Sequence, residues 1–201
     1  MIVVVPRPPN PDVHDRLMEA GRTLLLHRGF NGCGVQEITT AAGIPKGSFY
    51  SYFKSKEEFA LAVLEEYWSG VENRFGGILL DSSLSPVERI TRYFRLLSDD
   101  KARTNFAHGC LIGNLSLEIA NASAQVRSKL SDIFDRWEAP IIRCLREAQE
   151  VREIAPAGNL RDLAAAIIES WEGAAMRAKV EQNRRPYRRF EKVILPGLLH
   201  T

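Results

Sequence analysis

The sequence predicts an all-α protein. Apolar residues recur at spacings of three and four through most of the chain, Gly and Pro cluster at the joints between these segments, and strand-type alternation is absent. With 201 residues, 45% hydrophobic and 26% charged, the composition is that of a globular protein and excludes a disordered chain or a coiled-coil rod. The length allows one large domain or two small ones.

Charge and cysteine content narrow the possible classes of function. A net charge of +2 gives no bulk attraction to nucleic acid or membranes, so any basic surface must be local. Cys33, Cys110 and Cys144 are odd in number and lack CxxC spacing, which indicates reduced thiols rather than disulfides. The histidines have no metal-ligand spacing, so neither a metal nor a cofactor is predicted. Without a signal peptide or a membrane span, we expect a cytoplasmic protein that does not bind membranes.

The first two predicted helices follow a proline-rich start. Four prolines before Asp12 predict a flexible, extended arm over residues 1–11, and Asp12 is predicted to cap a first helix over 13–29. A short second helix is predicted over 35–42. It is stopped by Gly43, because glycine suits the left-handed conformation that ends many helices.

The remaining helices begin with a short aromatic one. A third helix is predicted over 45–53, since Pro45 is favoured in a first turn. Ser55 is predicted to cap the fourth helix, with Glu58 as its capping-box partner. Five later segments complete a chain of about nine helices: Pro86 to about Asp99, Leu111 to Ala120, Gln125 to Gln149, Leu160 to Lys179, and Tyr187 to Leu195.

Residues 35–53 have the pattern of a helix-turn-helix motif, in which a short turn containing Gly joins two helices. The second helix of this motif presents its N-terminal half to base edges in the DNA major groove. Lys46, Gly47 and Ser48 supply the small or hydrogen-bonding residues that this position requires. Lys56, at the start of the next helix, combines a cation with free backbone N–H groups, which favours phosphate contact.

Phe30 to Leu64, with its GIPKGSFYSYF core and the F-x-S-K-E-x-F transition after it, resembles the DNA-binding domain of the TetR family of transcriptional repressors. The resemblance implies a three-helix DNA-binding domain over 12–56, an effector-binding and dimerisation domain over 57–201, and a homodimer on a double-stranded DNA operator. The DNA-contacting residues implied by it are Gln36, Lys46, Gly47, Ser48, Tyr50, Ser51, Tyr52 and Lys56.

The second half is similar to a subgroup of this family, the acrylate-utilisation repressors, and more distantly to the N-ethylmaleimide-responsive repressors. The similarity lies in GCLIGNLSLEIAN, FDRWEAPIIRCLREAQEVREI and WEGAAMRAK. It implies a small unsaturated or electrophilic effector, with Cys110 as the candidate sensor. A position at a helix N-terminus facing Lys179 would lower the pKa of this thiol. The candidate effector-binding or sensing residues are Cys110, Asn114, Phe94, Trp137, Trp171, Glu172 and Lys179.

Other interpretations remain open at this point. Cys110 could be the nucleophile of a small helical enzyme, although no base accompanies it and His108, two residues away, would point elsewhere on a helix. The chain could also be a helical adaptor that does not bind DNA. Cys110 and the aromatic residues could simply be core. The favoured function is a non-enzymatic regulator, released from a palindromic operator by a small-molecule effector.

Overall fold

The computed structural model describes residues 10–156 and 158–200, in which all regular structure is helical. The all-α prediction is therefore confirmed for these residues. The chain divides into two compact units, 1–66 and 67–201. None of the helices described is both long and apolar enough to cross a membrane. The α-helices are α1 Pro11–Arg28, α2 Val35–Ala41, α3 Lys46–Phe49, α4 Lys56–Phe75, α5 Pro86–Ala102, α6 Leu111–Ile119, α7 Ala124–Glu150, α8 Leu160–Glu181, α9 Arg185–Arg189 and α10 Leu195–Leu199.

Helix α1 begins two residues earlier than predicted. Its N-cap is Asn10, whose side chain accepts a hydrogen bond from the Asp12 N–H at 3.1 Å. The prediction that Asp12 is the cap is wrong, because Pro11 takes the first helical position and Asp12 lies in the first turn. Of the arm predicted over 1–11, residues 1–9 lie outside the described part of the chain, while Asn10 and Pro11 belong to the start of α1.

An aromatic cluster forms the core of the first unit. Phe49, Phe53 and Phe59 are buried, and their ring centroids lie 4.9 to 5.6 Å apart. Helix α1 packs closely on this cluster because Gly21 has no side chain, since a Cβ atom there would lie 2.1 Å from the Phe59 ring. The burial of Phe49 and Phe53 fixes which face of the segment around α3 points inward.

The turn between α2 and α3 is held from α1. Gly43 has φ +65°, the left-handed conformation predicted for it. The Arg16 guanidinium donates to the carbonyl oxygens of Ala42 and Gly43, at 2.5 and 2.9 Å. The Ile44 N–H donates to the Thr39 carbonyl at 2.9 Å. These contacts set the angle between the two helices of the motif.

Helix α3 is shorter than predicted. The α-helix predicted over 45–53 spans only Lys46–Phe49, and the chain then continues as tighter turns. The N–H groups of Ser51 and Tyr52 donate to carbonyls three residues back, at 3.1 and 3.0 Å. Residues 50–53 therefore form tight turns rather than a continuation of α3, and the chain then reaches Ser55, the cap of α4.

The start of α4 follows the prediction with one shift. The Ser55 hydroxyl accepts from the Glu58 N–H at 3.0 Å, as expected of a cap. The Glu58 carboxylate accepts from the N–H of Lys54, one residue before the cap, at 2.9 Å. The N–H groups of Glu58 and Lys54, which have no partner within the helix, are therefore hydrogen-bonded by side chains.

In the second unit, α5, α7, α8 and α9 pack around an aromatic core. The chain from 185 to 199 is one helical run, in which a π-helical turn, Phe190–Ile194, joins α9 to α10. The last predicted helix is thus present and longer than expected. A 3-10 helix over Gly76–Leu80 was not predicted.

Candidate DNA-binding surface and effector site

The segment of α3 separates apolar from polar residues cleanly. Phe49 is fully buried and Phe53 nearly so, so these two side chains anchor the segment. Lys46 and Gly47 are exposed, and Tyr50 is 56% exposed. The residues predicted to reach DNA therefore project from a rigid scaffold with their polar groups free of the core.

The other predicted DNA contacts are placed less uniformly. Gln36 on α2 and Ser51 are exposed, whereas Ser48 and Tyr52 are half-buried. The Tyr52 hydroxyl accepts from the backbone N–H of Asn10 at 2.8 Å and lies 3.2 Å from its carbonyl oxygen. Tyr52 thus ties the start of α1 to the turn after α3.

Lys56, the first residue of α4, is already engaged within its own unit. Its ammonium donates to the Phe30 carbonyl oxygen and lies 4.0 Å from the centroid of the Phe30 ring. Lys46 and Lys54 are exposed and form no ion pair with any described residue. Phosphate contact by Lys56 stays a prediction, and an ammonium has further donors beyond the one used on Phe30.

Three aromatic residues predicted for the effector site are brought together in the second unit. The centroids of Trp171 and Trp137 are 5.7 Å apart, and those of Trp171 and Phe94 are 6.3 Å apart. All three side chains are buried. The Trp171 indole N–H donates to the Ser98 hydroxyl at 3.1 Å, which fixes the ring within the core.

Cys110 is the N-cap of α6 and is buried. The carboxylate of Glu172 on α8 lies near its thiol, close enough for its charge to act on the thiol. The carboxylate sits against Gly113, where a Cβ atom would lie 2.5 Å from Oε2. The other oxygen, Oε1, is shut off from solvent and has no hydrogen-bond partner among the described residues.

Two buried polar residues that were not predicted complete this cluster. The Lys101 ammonium donates to the Tyr67 hydroxyl at 3.0 Å, and that hydroxyl lies 3.7 Å from the Cys110 sulfur. Asp100 is 3.8 Å from Lys101. Nothing local in the sequence marks Lys101, since a lysine in the last turn of an amphipathic helix normally faces solvent. Lys101, Tyr67, Cys110 and Glu172 thus form one chain of contacts from α5, α4, α6 and α8.

The electrostatics of the cluster contradict one expectation. Burial, reinforced by the charge of Glu172, raises the pKa of the Cys110 thiol to about 12. The predicted lowering of this pKa is wrong, because removal from water outweighs the effect of the helix N-terminus. The opposing cation is Lys101 rather than Lys179. Burial also raises the pKa of Glu172, against smaller opposing effects of Cys110 and Lys101.

Asn114 on α6 and Lys179 on α8 both contact the loop that leads to Cys110. The Asn114 side-chain amide donates to the His108 carbonyl oxygen at 3.1 Å. The Lys179 side chain packs on Gly109, where a Cβ atom would lie 3.3 Å from its Cδ. These two predicted residues therefore hold the approach to Cys110 in the structure.

A small cavity adjoins the cluster, with a volume of about 10 Å³, room for roughly one water molecule. An effector larger than water therefore requires its walls to move. Within the described residues, no group of three His, Cys, Asp or Glu side chains is arranged to hold a metal ion. The cavity lining includes Tyr67, Trp68, Lys101, Cys110, Trp137 and Trp171.

Two family profiles match the two halves of the chain. Residues 17–63 match the family described as bacterial regulatory proteins, tetR family. Residues 86–194 match the family described as tetracyclin repressor-like, C-terminal domain, and this match alone covers more than half of the chain. The chain belongs to the TetR family of transcriptional regulators.

Curated relatives support the subgroup of this TetR-family chain. It is 41% identical to the HTH-type transcriptional repressor DhaR of Mycobacterium sp. strain GP1, over 93% of this chain and 92% of the relative. It is 36% identical to the transcriptional regulator AcuR of Cereibacter sphaeroides, over 89% and 82%. It is 30% identical to the transcriptional repressor NemR of Escherichia coli K12, over 87% and 88%. The subgroup resemblance is confirmed, and the regulator prediction is favoured over the enzyme alternative.

Solved structures agree with this TetR-family assignment. A crystal structure of regulatory protein TetR from Rhodobacter sphaeroides has a TM-score of 0.86 and 35% identity, covering 92% of this chain and 97% of that one. The reduced form of E. coli NemR has a TM-score of 0.77 and 28% identity, covering 91% and 96%. The helix-turn-helix and helical C-terminal fold predicted from the sequence is confirmed.

Proposed function

We propose that this TetR-family chain is a homodimeric repressor of a palindromic DNA operator. Each copy inserts α3 into the major groove, and the two insertions lie one helical turn, about 34 Å, apart. The observation that carries this proposal is the orientation of α3, in which Phe49 is fully buried while Lys46, Gly47 and Tyr50 are exposed.

The exposed residues have complementary roles on DNA. Lys46 can donate to a guanine edge or to a phosphate, and Gly47 allows the backbone to approach the groove closely. The hydroxyl of Tyr50 reaches a phosphate or a base, and Gln36 on α2 contacts the backbone. Lys56 binds phosphate through the donors that are not used on Phe30. The remaining proposed contacts are Ser48, Ser51 and Tyr52.

An uncovered apolar face on α8 supports the dimer. Met176 and Val180 are 61% and 79% exposed and lie four residues apart, on one face of the helix. Val193 and Ile194, in the following helical run, are also exposed. Exposed apolar residues at such spacing favour burial against another chain, and the two helices of a second copy supply a matching surface.

Effector control is a shift between two conformations that bind DNA differently. The cavity beside Cys110 is too small for a ligand, so a small unsaturated or electrophilic compound must displace its walls. One wall is Tyr67, and α4 carries both Tyr67 and Lys56. The conformation that accommodates the effector thus alters the position of α4, and the operator is released.

Binding to a selected operator tests the DNA-binding surface. A duplex is first selected from a random-sequence library by the wild-type protein, and its dissociation constant is then measured by fluorescence anisotropy at fixed salt. Lys46→Ala and Tyr50→Ala should each weaken binding about tenfold or more, because a good base contact contributes about 1–3 kcal/mol. Arg92→Ala, which removes an exposed cation from α5, is the matched control. Wild-type affinity in both α3 variants would reject this surface.

A second measurement tests the effector class. Acrylate or N-ethylmaleimide is added to the complex of protein and selected operator, and release is followed by anisotropy. We expect release by at least one compound. Cys110→Ser should abolish release by N-ethylmaleimide while leaving any release by acrylate, which separates covalent sensing from reversible binding. Persistence of the complex with both compounds would reject the proposed effector class.

A further inference from the structure

We propose that Glu172 is the base that removes the proton from the Cys110 thiol when this thiol adds to an α,β-unsaturated carbonyl compound, while Lys101 stabilises the negative charge that develops on the carbonyl oxygen. The inference rests on the proposed effector class. It assigns the chemistry to residues from three different helices.

The Cys110 sulfur lies between the carboxylate of Glu172 and the hydroxyl of Tyr67, which is hydrogen-bonded to the Lys101 ammonium. On one side, the carboxylate of Glu172 lies against Gly113 in the first turn of α6, and its charge acts on the thiol. On the other side, the Tyr67 hydroxyl lies 3.7 Å from the sulfur and accepts from the Lys101 ammonium at 3.0 Å. A proton acceptor and a source of positive charge therefore flank the same sulfur atom.

The carboxylate of Glu172 has fewer hydrogen bonds than a carboxylate that only stabilises the fold would have. Its Oε1 atom is buried without a hydrogen-bond partner among the described residues. A buried carboxylate that only stabilised the fold would be expected to have both oxygens hydrogen-bonded, since an unpaired buried acceptor costs about 1–3 kcal/mol. A free lone pair beside a buried thiol is instead the arrangement that a base requires.

The buried thiol needs such a base. Only the thiolate is nucleophilic, and burial raises the pKa of Cys110 to about 12, so little thiolate forms spontaneously near neutral pH. Burial also raises the pKa of Glu172, which makes its carboxylate a stronger proton acceptor than it would be in water. Transfer of the proton from sulfur to this carboxylate is therefore less unfavourable than transfer to a carboxylate with an ordinary pKa.

The cavity is placed so that an electrophile bound in it would contact both the Cys110 sulfur and the Lys101 ammonium. Its lining includes Cys110, Tyr67 and Lys101, so a compound that enters there meets the sulfur and the ammonium together. Glu172 reaches the thiol from α8. The base and the electrophile can therefore act on the same sulfur at once.

The reaction balances without an added reagent. The Cys110 proton passes to Glu172, the sulfur forms a bond to the β-carbon, and the electron pair of the C=C bond moves through the α-carbon to the carbonyl oxygen as an enolate. Lys101 stabilises this oxygen by donating a hydrogen bond. The proton on Glu172 then returns to the α-carbon, so the net change is addition of S–H across the double bond.

Other titratable groups near the sulfur define the conditions of the test. Tyr67 reaches it from α4 and Lys101 from α5, and the charge of its thiolate acts on Tyr93 on α5 and Tyr187 on α9. Burial raises the pKa of each of these three tyrosines above 10. Below about pH 9 the tyrosines stay protonated, and Glu172 is the group whose titration changes the rate.

The rate of Cys110 modification by N-ethylmaleimide, followed by mass spectrometry of the Cys110 peptide between about pH 5.5 and pH 9, tests the role of Glu172. In the wild type, the rate should rise as Glu172 ionises and then level off. Glu172→Gln should react about 100-fold more slowly near neutral pH, because general bases typically contribute 10²–10⁴-fold. Its rate should keep rising about tenfold per pH unit with the titration of the thiol itself.

Glu169→Gln, an exposed change on the same helix, is the matched control and should keep the wild-type rate and profile. A wild-type rate and pH profile in Glu172→Gln would overturn the role of the base. Near-ultraviolet circular dichroism checks that the environment of Trp171 is unchanged in this variant.

Lys101→Met provides an independent test. It should slow the reaction with N-ethylmaleimide about tenfold more than the reaction with iodoacetamide, because displacement of iodide forms no enolate. Equal slowing with both reagents would overturn the role of Lys101 in stabilising the enolate.

Failure of this inference and failure of the proposed function give different results. If Glu172→Gln reacts like the wild type, while N-ethylmaleimide still releases the operator, then Glu172 is not the base, and the proposed repressor function is retained. If the wild type reacts through Glu172 but the operator is not released, the chemistry stands and the effector control is wrong.

Discussion

Glu172, a half-buried residue whose Oε1 atom is shut off from solvent, shows how one side chain can link the stability of the fold to its chemistry. Its carboxyl group is removed from water, which raises its pKa above the ordinary value of 4.5. At a pH between 4.5 and this raised pKa, the carboxyl group is protonated in the native state and ionised in the unfolded chain. The associated stability is fully present below about pH 4.5 and is lost as the pH rises through the raised pKa of the native state.

We expect the free energy of unfolding to fall between about pH 5 and pH 7.5 by an amount that depends on Glu172. Urea unfolding at both pH values measures it. Glu172→Gln should flatten this dependence because the amide does not titrate, whereas the exposed-site variant Glu169→Gln should keep it. An unchanged pH dependence in Glu172→Gln would show that this carboxyl group titrates normally in the native state.

Single residues also mark the limit of the sequence analysis. Phe94, Trp137 and Trp171 could be predicted as a cluster because bulky aromatic side chains are usually buried. Lys101 and Tyr67 could not, since their burial follows from how α4 and α5 pack, and neighbouring residues in the sequence carry no sign of it. Burial by the same packing raises the pKa of the Cys110 thiol and keeps it protonated near neutral pH.

Among the elements, helix periodicity predicted most of the fold but fewer of the boundaries. Helices α5, α7 and α8 are amphipathic enough to be found from spacing alone, and their observed ends lie within three residues of the prediction. Helix α3 ends early because its length is set by tertiary packing of Phe49 and by the cap of α4. The π-helical turn Phe190–Ile194 has no signature in the spacing.

The turn between α2 and α3 gives a test of how the motif is held. Gly43→Ala should lower the free energy of unfolding by about 1–2 kcal/mol, because a Cβ atom is strained at φ +65° and would lie 2.7 Å from the Arg16 guanidinium. Urea unfolding of the full chain measures the effect. Gly47→Ala is the matched control, since a Cβ atom there meets nothing within 4 Å. Equal stability of the two variants would mean that the turn tolerates a side chain.

For the whole molecule, the exposed apolar face on α8 is the proposed contact between copies. Val180→Glu should convert the dimer to monomer in sedimentation velocity and weaken operator binding, since a charge in an apolar interface is costly. Val151→Glu changes an equally apolar residue that is 60% exposed after α7 and should leave the dimer intact. A dimer that survives Val180→Glu would place the interface on another face.

The spacing of the two half-sites in the operator is the sharpest test of a dimer that inserts two α3 helices into DNA. Insertion of about five base pairs between the half-sites of the selected operator rotates one of them by half a helical turn. We expect a loss of affinity of about 100-fold or more in fluorescence anisotropy, because two α3 helices in one rigid dimer cannot then enter both grooves. Affinity equal to that for the original operator would contradict this mode of binding.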